Sequence, residues 1–391
     1  MKNKLKALAL MLGAAGLATS AAHAQDKVKI GFITDMSSLY ADVEGKNGAV
    51  AIQMAIDDFG GKVLGMPVEL ISADHQNKAD IAASKAREWI DTQGVTMLFG
   101  GTNSGTALAA AKVAAEKKRV YVNSGAGSSA LTNEQCTPYT VALARGTGSA
   151  IVDAGGKSWF FLTADYAFGQ ALEADTSAAV KAKGGTVAGS VRHPLNASDF
   201  SSFLLQAQNS KAQILGLANA GGDTINAIKA AKEFGIDKTM KMAGLLLFIT
   251  DIHSLGLKNT EGLQFTSSWY WDLNDETRKF GKRFFDKTKR MPTSIQAADY
   301  SATMNYLKAV QAAKSVDADK VMAAWRAMPM NDFYASGTLR PDGRYVHDMY
   351  LLQVKKPSES TKPWDYFKVV KKIPGDQIFT TKAESKCALW K

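Results

Sequence analysis

The chain has 391 residues, with 47 Lys and Arg against 37 Asp and Glu and only two cysteines. The formal charge of +10 is scattered, with no arginine-rich or lysine-rich stripe, so a nucleic-acid partner is not expected. The length exceeds what one ordinary core fills, so two domains are expected.

The N-terminus "MKNKLKALALMLGAAGLATSAAHA" carries Lys2, Lys4 and Lys6, an apolar run from Ala7 to Leu17, and the small-x-small pattern Ala22-His23-Ala24. It reads as a secretory signal peptide, residues 1–24, cut after Ala24; this leaves a formal charge of +7 and points to the periplasm. The apolar run is shorter than the roughly 20 residues that a membrane span needs. No cysteine follows the cut at once, so no lipid anchor is expected.

"VKIGFIT" then reads as a buried strand, "DMSSLYADVEGKNG" as a turn and "AVAIQMAIDDFG" as a helix. "MPVELISAD", "VTMLFG" and "RVYVNSG" are further strands, separated by the helices "KADIAASKAREWIDTQG" and "TALAAAKVAAEKK". Continuous apolar strands alternating with helices imply a parallel sheet covered on both faces. A second series starts near Gly148 with "SWFFLTADYAFG", "TVAGSVRHP", "AQILGLAN" and "MKMAGLLLF" as strands. Two long helices follow from Asp275 and Ser294, then "ADKVMAAWRAM", and late strands "MYLLQVKK" and "WDYFKVVKKI". The expected fold is α/β: two doubly wound parallel-sheet lobes joined by a multi-crossing hinge. Lobe 1 takes residues 25–146 and 273–343, lobe 2 takes 147–272 and 344–371, and 372–391 form a C-terminal tail. In an oxidising compartment Cys136 and Cys387 are expected to pair, tying that tail to the first lobe.

Ligands of doubly wound sheets sit outside the carboxyl ends of strands. Two small glycine-rich turns lie there, "GGTNSGT" and "NSGAGSS". Neither has the lysine of a phosphate loop or the spacing of a dinucleotide fingerprint. The Ser104 hydroxyl, backbone N–H groups at a helix start, those of Gly125 to Gly127, and the hydroxyls of Ser124, Ser128 and Ser129 suit a carboxylate better. Plain tight turns are the alternative. The histidines His75, His193, His253 and His347 are scattered, and no nucleophile elbow follows a strand, so neither catalysis, metal nor cofactor is expected.

At this point the order of motifs resembles the leucine/isoleucine/valine-type periplasmic binding proteins, the type I solute-binding components of ABC importers. The resemblance spans the chain after the signal, from "KIGFITDMSSLYADVEGKNGAVAIQMAIDD" through "VTMLFGGTNSGTALAAAKVAAEKKRVYVNSGAGSSALT" to "LTADYAFGQALEA" and "DFSSFLLQAQNSKAQILGLANAGGD". It implies that Ser104 and the backbone at Gly125 and Gly127 take a ligand carboxylate, with Ser128 or Ser129 standing in for a threonine of the family. Amino-acid-binding members have an acidic residue for the ligand ammonium where this chain has Leu245-Leu246-Leu247, with Leu246 the matching position. An ammonium buried against leucine would be unpaired, at a cost of several kcal/mol. Asp223 could compensate if it points inward; helix capping is its other role. Tyr40, Phe168 and Trp269, with Thr106 and Asn219, complete the candidate pocket, although each aromatic also suits a core.

The resemblance implies a periplasmic carrier that delivers its ligand to an ABC permease; the departure at Leu246 and the candidate aromatics point to a small carboxylic acid without an α-ammonium, aromatic or branched, and a monomer is expected. A branched-chain amino acid carrier and a ligand-sensing partner of a membrane receptor are the alternatives.

Overall fold

The apolar strands gather into two large sheets, as their continuous hydrophobic runs require. In the computed structural model, which describes residues 26–143, 152 and 156–391, the chain builds β1 (Val28–Thr34), α1 (Gly45–Asp58), β2 (Lys62–Val63), β3 (Met66–Asp74), α2 (Ala79–Gln93), β4 (Val95–Phe99), α3 (Ser104–Glu116), β5 (Val120–Asn123) and β6 (Thr140–Ala142). The second series is β7 (Ser158–Ala164), α4 (Ala167–Ala182), β8 (Thr186–His193), α5 (Ser201–Asn209), β9 (Ile214–Ala218), α6 (Gly222–Glu233), β10 (Lys241–Gly244), α7 (Ile249–Leu255), α8 (Leu257–Thr260) and β11 (Gln264–Ser267). Then come α9 (Asp275–Thr288), α10 (Ser294–Ala313), α11 (Ala318–Ala327), β12 (Met330–Asn331), β13 (Ser336–Leu339), β14 (Tyr345–His347), β15 (Met349–Val354) and β16 (Phe367–Ile373). The expected signal peptide lies outside the described residues.

The first sheet has the order β2-β3-β1-β4-β5-β6, and the second β16-β15-β11-β10-β9-β7-β8. Pairing is parallel through β3-β1-β4-β5-β6 and through β8-β7-β9-β10-β11, and antiparallel where β15 and β16 join. All residues of β4, β5 and β9 are buried, as strands covered on both faces must be. β14 pairs with β13 in a separate three-stranded sheet, and Arg344 bridges Ala142 at the end of β6, so residues up to His347 stay beside the first sheet. β15 opens the return into the second sheet two residues later.

One expected strand is shorter than its sequence. "MKMAGLLLF" stops pairing at Gly244, because the chain folds back and sets Leu247 over it. A Cβ at Gly244 would come within 2.1 Å of the Leu247 side chain.

Beyond β16 the tail returns to the first lobe. Cys387 is bonded to Cys136, with Cα atoms 5.7 Å apart. The Arg340 guanidinium lies 3.8 Å from the Trp390 ring centre, and the Lys386 N–H donates to Asn133 Oδ1. Replacing both cysteines by serine is expected to lower stability by about 2–4 kcal/mol, read from the urea midpoint. An unchanged midpoint would mean that the non-covalent contacts hold the tail alone.

Candidate functional site

The loop between β1 and α1 is shaped by Asp35. Its Oδ1 accepts from the Ser38 N–H (2.9 Å), and its Oδ2 from the Tyr40 N–H (2.9 Å) and the Ser38 hydroxyl (2.7 Å). This fold of the loop carries Tyr40 across to the second lobe, where its hydroxyl meets that of Tyr166. Tyr166 in turn packs on Phe168, with ring centres 5.7 Å apart. One apolar cluster joins Tyr40, Val43 and Ile295 on the first-lobe side to Phe168, Ala220, Leu245 and Phe248 on the other, with Leu246 packed against it. The lobes are closed on each other.

The two glycine-rich turns meet below this cluster. Gly100 leaves β4 with a φ of +122°, and a Cβ there would stand 2.2 Å from the Ile33 carbonyl oxygen, so only glycine fits. A Cβ at Gly125 would come within 3.3 Å of Gly101 O and 3.0 Å of Ile295 Cδ1, which places the second turn against both the first turn and the apolar cluster. The Ser104 hydroxyl oxygen accepts from the Ser128 N–H at 3.2 Å. That bond ties the turns together and leaves the Ser104 proton to donate elsewhere.

Fewer donors remain than the turns contain. Asn103 caps α3, accepting from the N–H groups of Gly105 (2.7 Å) and Thr106 (3.2 Å). The expected free N–H groups at this helix start are therefore largely used by its own cap. Asn123 does the same in the second turn, accepting from Ala126 N–H (2.8 Å) and, more weakly, Gly125 N–H (3.3 Å). Ser124 donates to Glu44 Oε1 (2.9 Å), Ser129 to Asp175 Oδ1 (3.2 Å), and the Ser128 hydroxyl accepts from Ala130 N–H (3.3 Å). The Gly127 N–H has no partner among the described residues, and the hydroxyl protons of Thr102, Ser104 and Ser128 are likewise uncommitted there.

Other candidates are engaged in ways that composition does not reveal. Thr106 donates to Asn103 O (2.8 Å) and pairs with His75 Nε2 (3.2 Å) inside the first lobe. Asn219 accepts from the Thr224 hydroxyl (2.6 Å) and pairs with His193 Nε2 (3.1 Å) inside the second. Trp269 is not brought to the cleft: its ring sits edge-on to Phe280 and Phe333, and its N–H donates to Phe333 O at 3.3 Å. Asp223 lies in the first turn of α6 without capping it; its Oδ2 accepts from the Asn196 N–H (3.3 Å), and burial pushes its carboxyl up to about 6.

Beneath the second turn lies a group that the sequence pattern does not single out. Glu44 is fully buried, and its carboxylate accepts from the hydroxyls of Thr34 and Ser124, while Gln296 Nε2 donates to its carbonyl (3.0 Å). Asp299 of α10, also fully buried, faces the same spot. A Cβ at Gly48 would come within 2.8 Å of Asp299 Oδ2 and 3.0 Å of Glu44 Cγ. Asp299 has the Ser124 hydroxyl and the Glu44 carboxyl for company, and no cation is ion-paired with either acid among the described residues. Burial, and for Asp299 the Glu44 charge, push both carboxyls up, Glu44 to about 7.

The profile of the periplasmic binding protein family matches residues 27–361. The chain belongs to the periplasmic binding protein family. This periplasmic binding protein is 67 % identical to one from Burkholderia mallei, over 94 % of this chain and 100 % of that one, with a TM-score of 0.92. It is 42 % identical to a branched chain amino acid ABC transporter periplasmic ligand-binding protein from Burkholderia xenovorans, over 93 % and 100 % of the two chains, with a TM-score of 0.84. A solute binding protein of an ABC transporter from Rhodopseudomonas palustris, in complex with 3,4-dihydroxybenzoic acid, shares the fold at 23 % identity, 90 % and 98 % coverage and a TM-score of 0.81. The family places this periplasmic binding protein in the periplasm and among solute binders rather than in an enzyme class.

Proposed function

We propose that the protein is the substrate-binding component of an ABC importer that captures a small carboxylic acid lacking an α-ammonium, aromatic or branched, between its lobes. One observation carries this reading. Free donors, Ser104 and Gly127 among them, belong to the same turns as Gly125, which packs on Ile295 of an apolar cluster. That cluster holds Tyr40 and Phe168 with Leu246 against it, and Leu246 offers an α-ammonium no charge. A carboxylate needs the donors, and a hydrocarbon body needs the wall. Proteins of this fold from R. palustris that hold 4-hydroxybenzoate and benzoate support the ligand class. The B. xenovorans relative favours the second reading, a branched-chain amino acid.

The carboxylate is captured first by the first lobe's turns, and the second lobe then closes over the body of the ligand. Delivery is to an inner-membrane permease, by a monomer released from its signal peptide after Ala24, with no chemistry done on the cargo. A thermal-shift screen of the mature protein against aromatic acids, keto acids, amino acids, amides and sugars tests this, because a ligand absent from the unfolded chain's partners raises the melting temperature. Carboxylates without ammonium are expected to score. A response to leucine or valine alone would keep the carrier and overturn the ligand class. With a hit in hand, Ser104→Ala is expected to weaken binding about ten- to hundredfold, the value of a hydrogen bond to a charged group, measured by calorimetry. An unchanged affinity would remove Ser104 from the site.

A further inference from the structure

The hydrogen bond between Ser129 and Asp175 crosses the cleft. Ser129 follows β5 of the first sheet, and its hydroxyl donates to Asp175 Oδ1 at 3.2 Å. Asp175 sits midway along α4, which packs on β7, β8 and β9 of the second sheet and approaches α3 of the first lobe. The bond therefore exists only while the lobes are together.

Two points on this one helix meet the first lobe. At the start of α4 the Tyr166 hydroxyl touches that of Tyr40, and Asp175 lies nine residues later, about 13 Å along the axis. The tyrosine contact alone would leave α4 free to pivot about its own N-terminal end. A second, directional contact that far away removes the rotation, so α4 closes in one orientation. The carboxylate acceptor makes the bond charge-assisted, and both partners are half-buried, so water competes with it less than at an open surface.

Ser129 is also tied to the glycine-rich turns. It begins a short 3-10 helix, Ser129–Thr132, whose N-cap is Ser128, and the Ser128 N–H donates to the Ser104 hydroxyl oxygen. A ligand group held at Ser104 and Gly127 thus steadies the segment that presents the Ser129 hydroxyl to α4.

We infer that Asp175 is a positioning residue for capture: it holds Ser129, and through Ser129 the ligand turn, once the second lobe has swung in, so that this latch sets how long the cargo is retained. That role rests on the proposed capture between the lobes and not on the class of the cargo. The bond is absent from the open form, so it acts on release and not on encounter.

The test compares the mature wild type with Ser129→Ala, Asp175→Ala and the double variant. Benzoate and leucine serve as probes, and stopped-flow tryptophan fluorescence reads both rates. Ser129→Ala is expected to speed release of the bound probe about three- to tenfold, the worth of one hydrogen bond, and to leave the on-rate unchanged. In the Asp175→Ala background the same change is expected to add nothing. An unchanged off-rate, a slowed on-rate, or an effect that survives in the Asp175→Ala background overturns the role; the last result would put Ser129 on the ligand itself. Should Asp175→Ala not fold, Ser129→Thr decides, because it keeps the hydroxyl. Its off-rate is expected to match the wild type, and release as fast as from Ser129→Ala overturns the role. If neither probe binds, the capture reading fails for both ligand classes, and small-angle scattering of the probe-free proteins decides the latch alone. A larger radius of gyration in Ser129→Ala than in the wild type supports it, and equal radii overturn it.

Discussion

Glu44→Gln is expected to stabilise the protein at pH 8 and to leave it unchanged at pH 5. Glu44 and Asp299 are both fully buried and share one environment without a paired cation, so the native state keeps a proton that the unfolded chain gives up. Burial pushes Glu44 from its ordinary 4.5 up to about 7. A raised acid contributes its full stability below the unfolded value, and that contribution is lost as pH rises through the folded value. The wild type therefore weakens between about pH 4.5 and pH 7. The whole shift corresponds to about 3 kcal/mol, and several degrees of melting temperature, as an order of magnitude. Glutamine mimics the protonated acid at every pH. Its carbonyl can accept from Ser124, as Glu44 Oε1 does, and its amide can donate to Asp299. Melting curves of both proteins from pH 5 to pH 8 should diverge as pH rises. Parallel curves, with the variant lower throughout, would mean that the pair holds no proton.

Gly221→Val is expected to hold the cleft open and to weaken ligand binding about 5- to 150-fold. Gly221 has a φ of +59°, and a Cβ there would stand 2.5 Å from the Leu39 carbonyl oxygen and 3.1 Å from Tyr40 Cδ1. Leu39 and Tyr40 belong to the other lobe, so the clash exists only when the lobes meet. The opposing atom is backbone and cannot swing aside, and an overpacked contact of this kind costs about 1–3 kcal/mol. The strained backbone, with φ +59° and ψ −135°, adds about 1–3 kcal/mol in both the open and closed forms, so it lowers the melting temperature and not the affinity. Calorimetry with the acid found by screening reads the affinity, and small-angle scattering reads the contraction on binding. Wild-type affinity with wild-type contraction would show that closure does not bring Gly221 against Leu39.

How much of this was legible depended on the range over which each feature is decided. The sheets were legible because alternating apolar strands and helices are local patterns, and so were the two turns, which sit at strand ends. The supply of donors was not. Asn103 and Asn123 consume N–H groups that a glycine-rich turn would otherwise offer, and only the conformation shows which groups they reach. Trp269 was placed by the register of its strand end, which turns it toward Phe280 and Phe333. Tyr166, two residues before Phe168, is the aromatic that opposes Tyr40, a pairing across the lobes that no local pattern encodes. Glu44 and Asp299 meet only because α10 packs on α1, and no spacing in the sequence foretells that.

The tail bond also changes how the molecule would carry force. Both halves of the second sheet, from Ser158 to Ser267 and from Met349 to Ile373, fall between Cys136 and Cys387, which are 251 residues apart in sequence. Tension applied at the two ends of the oxidised chain passes from Cys136 directly to Cys387 and bypasses everything between. Pulled in this way, the protein should release the length of its early first-lobe segment only, while the second lobe stays folded inside a closed covalent ring. A machine that draws such a chain through a narrow pore meets a doubled strand at Cys387, four residues from the C-terminal end, until the bond is reduced.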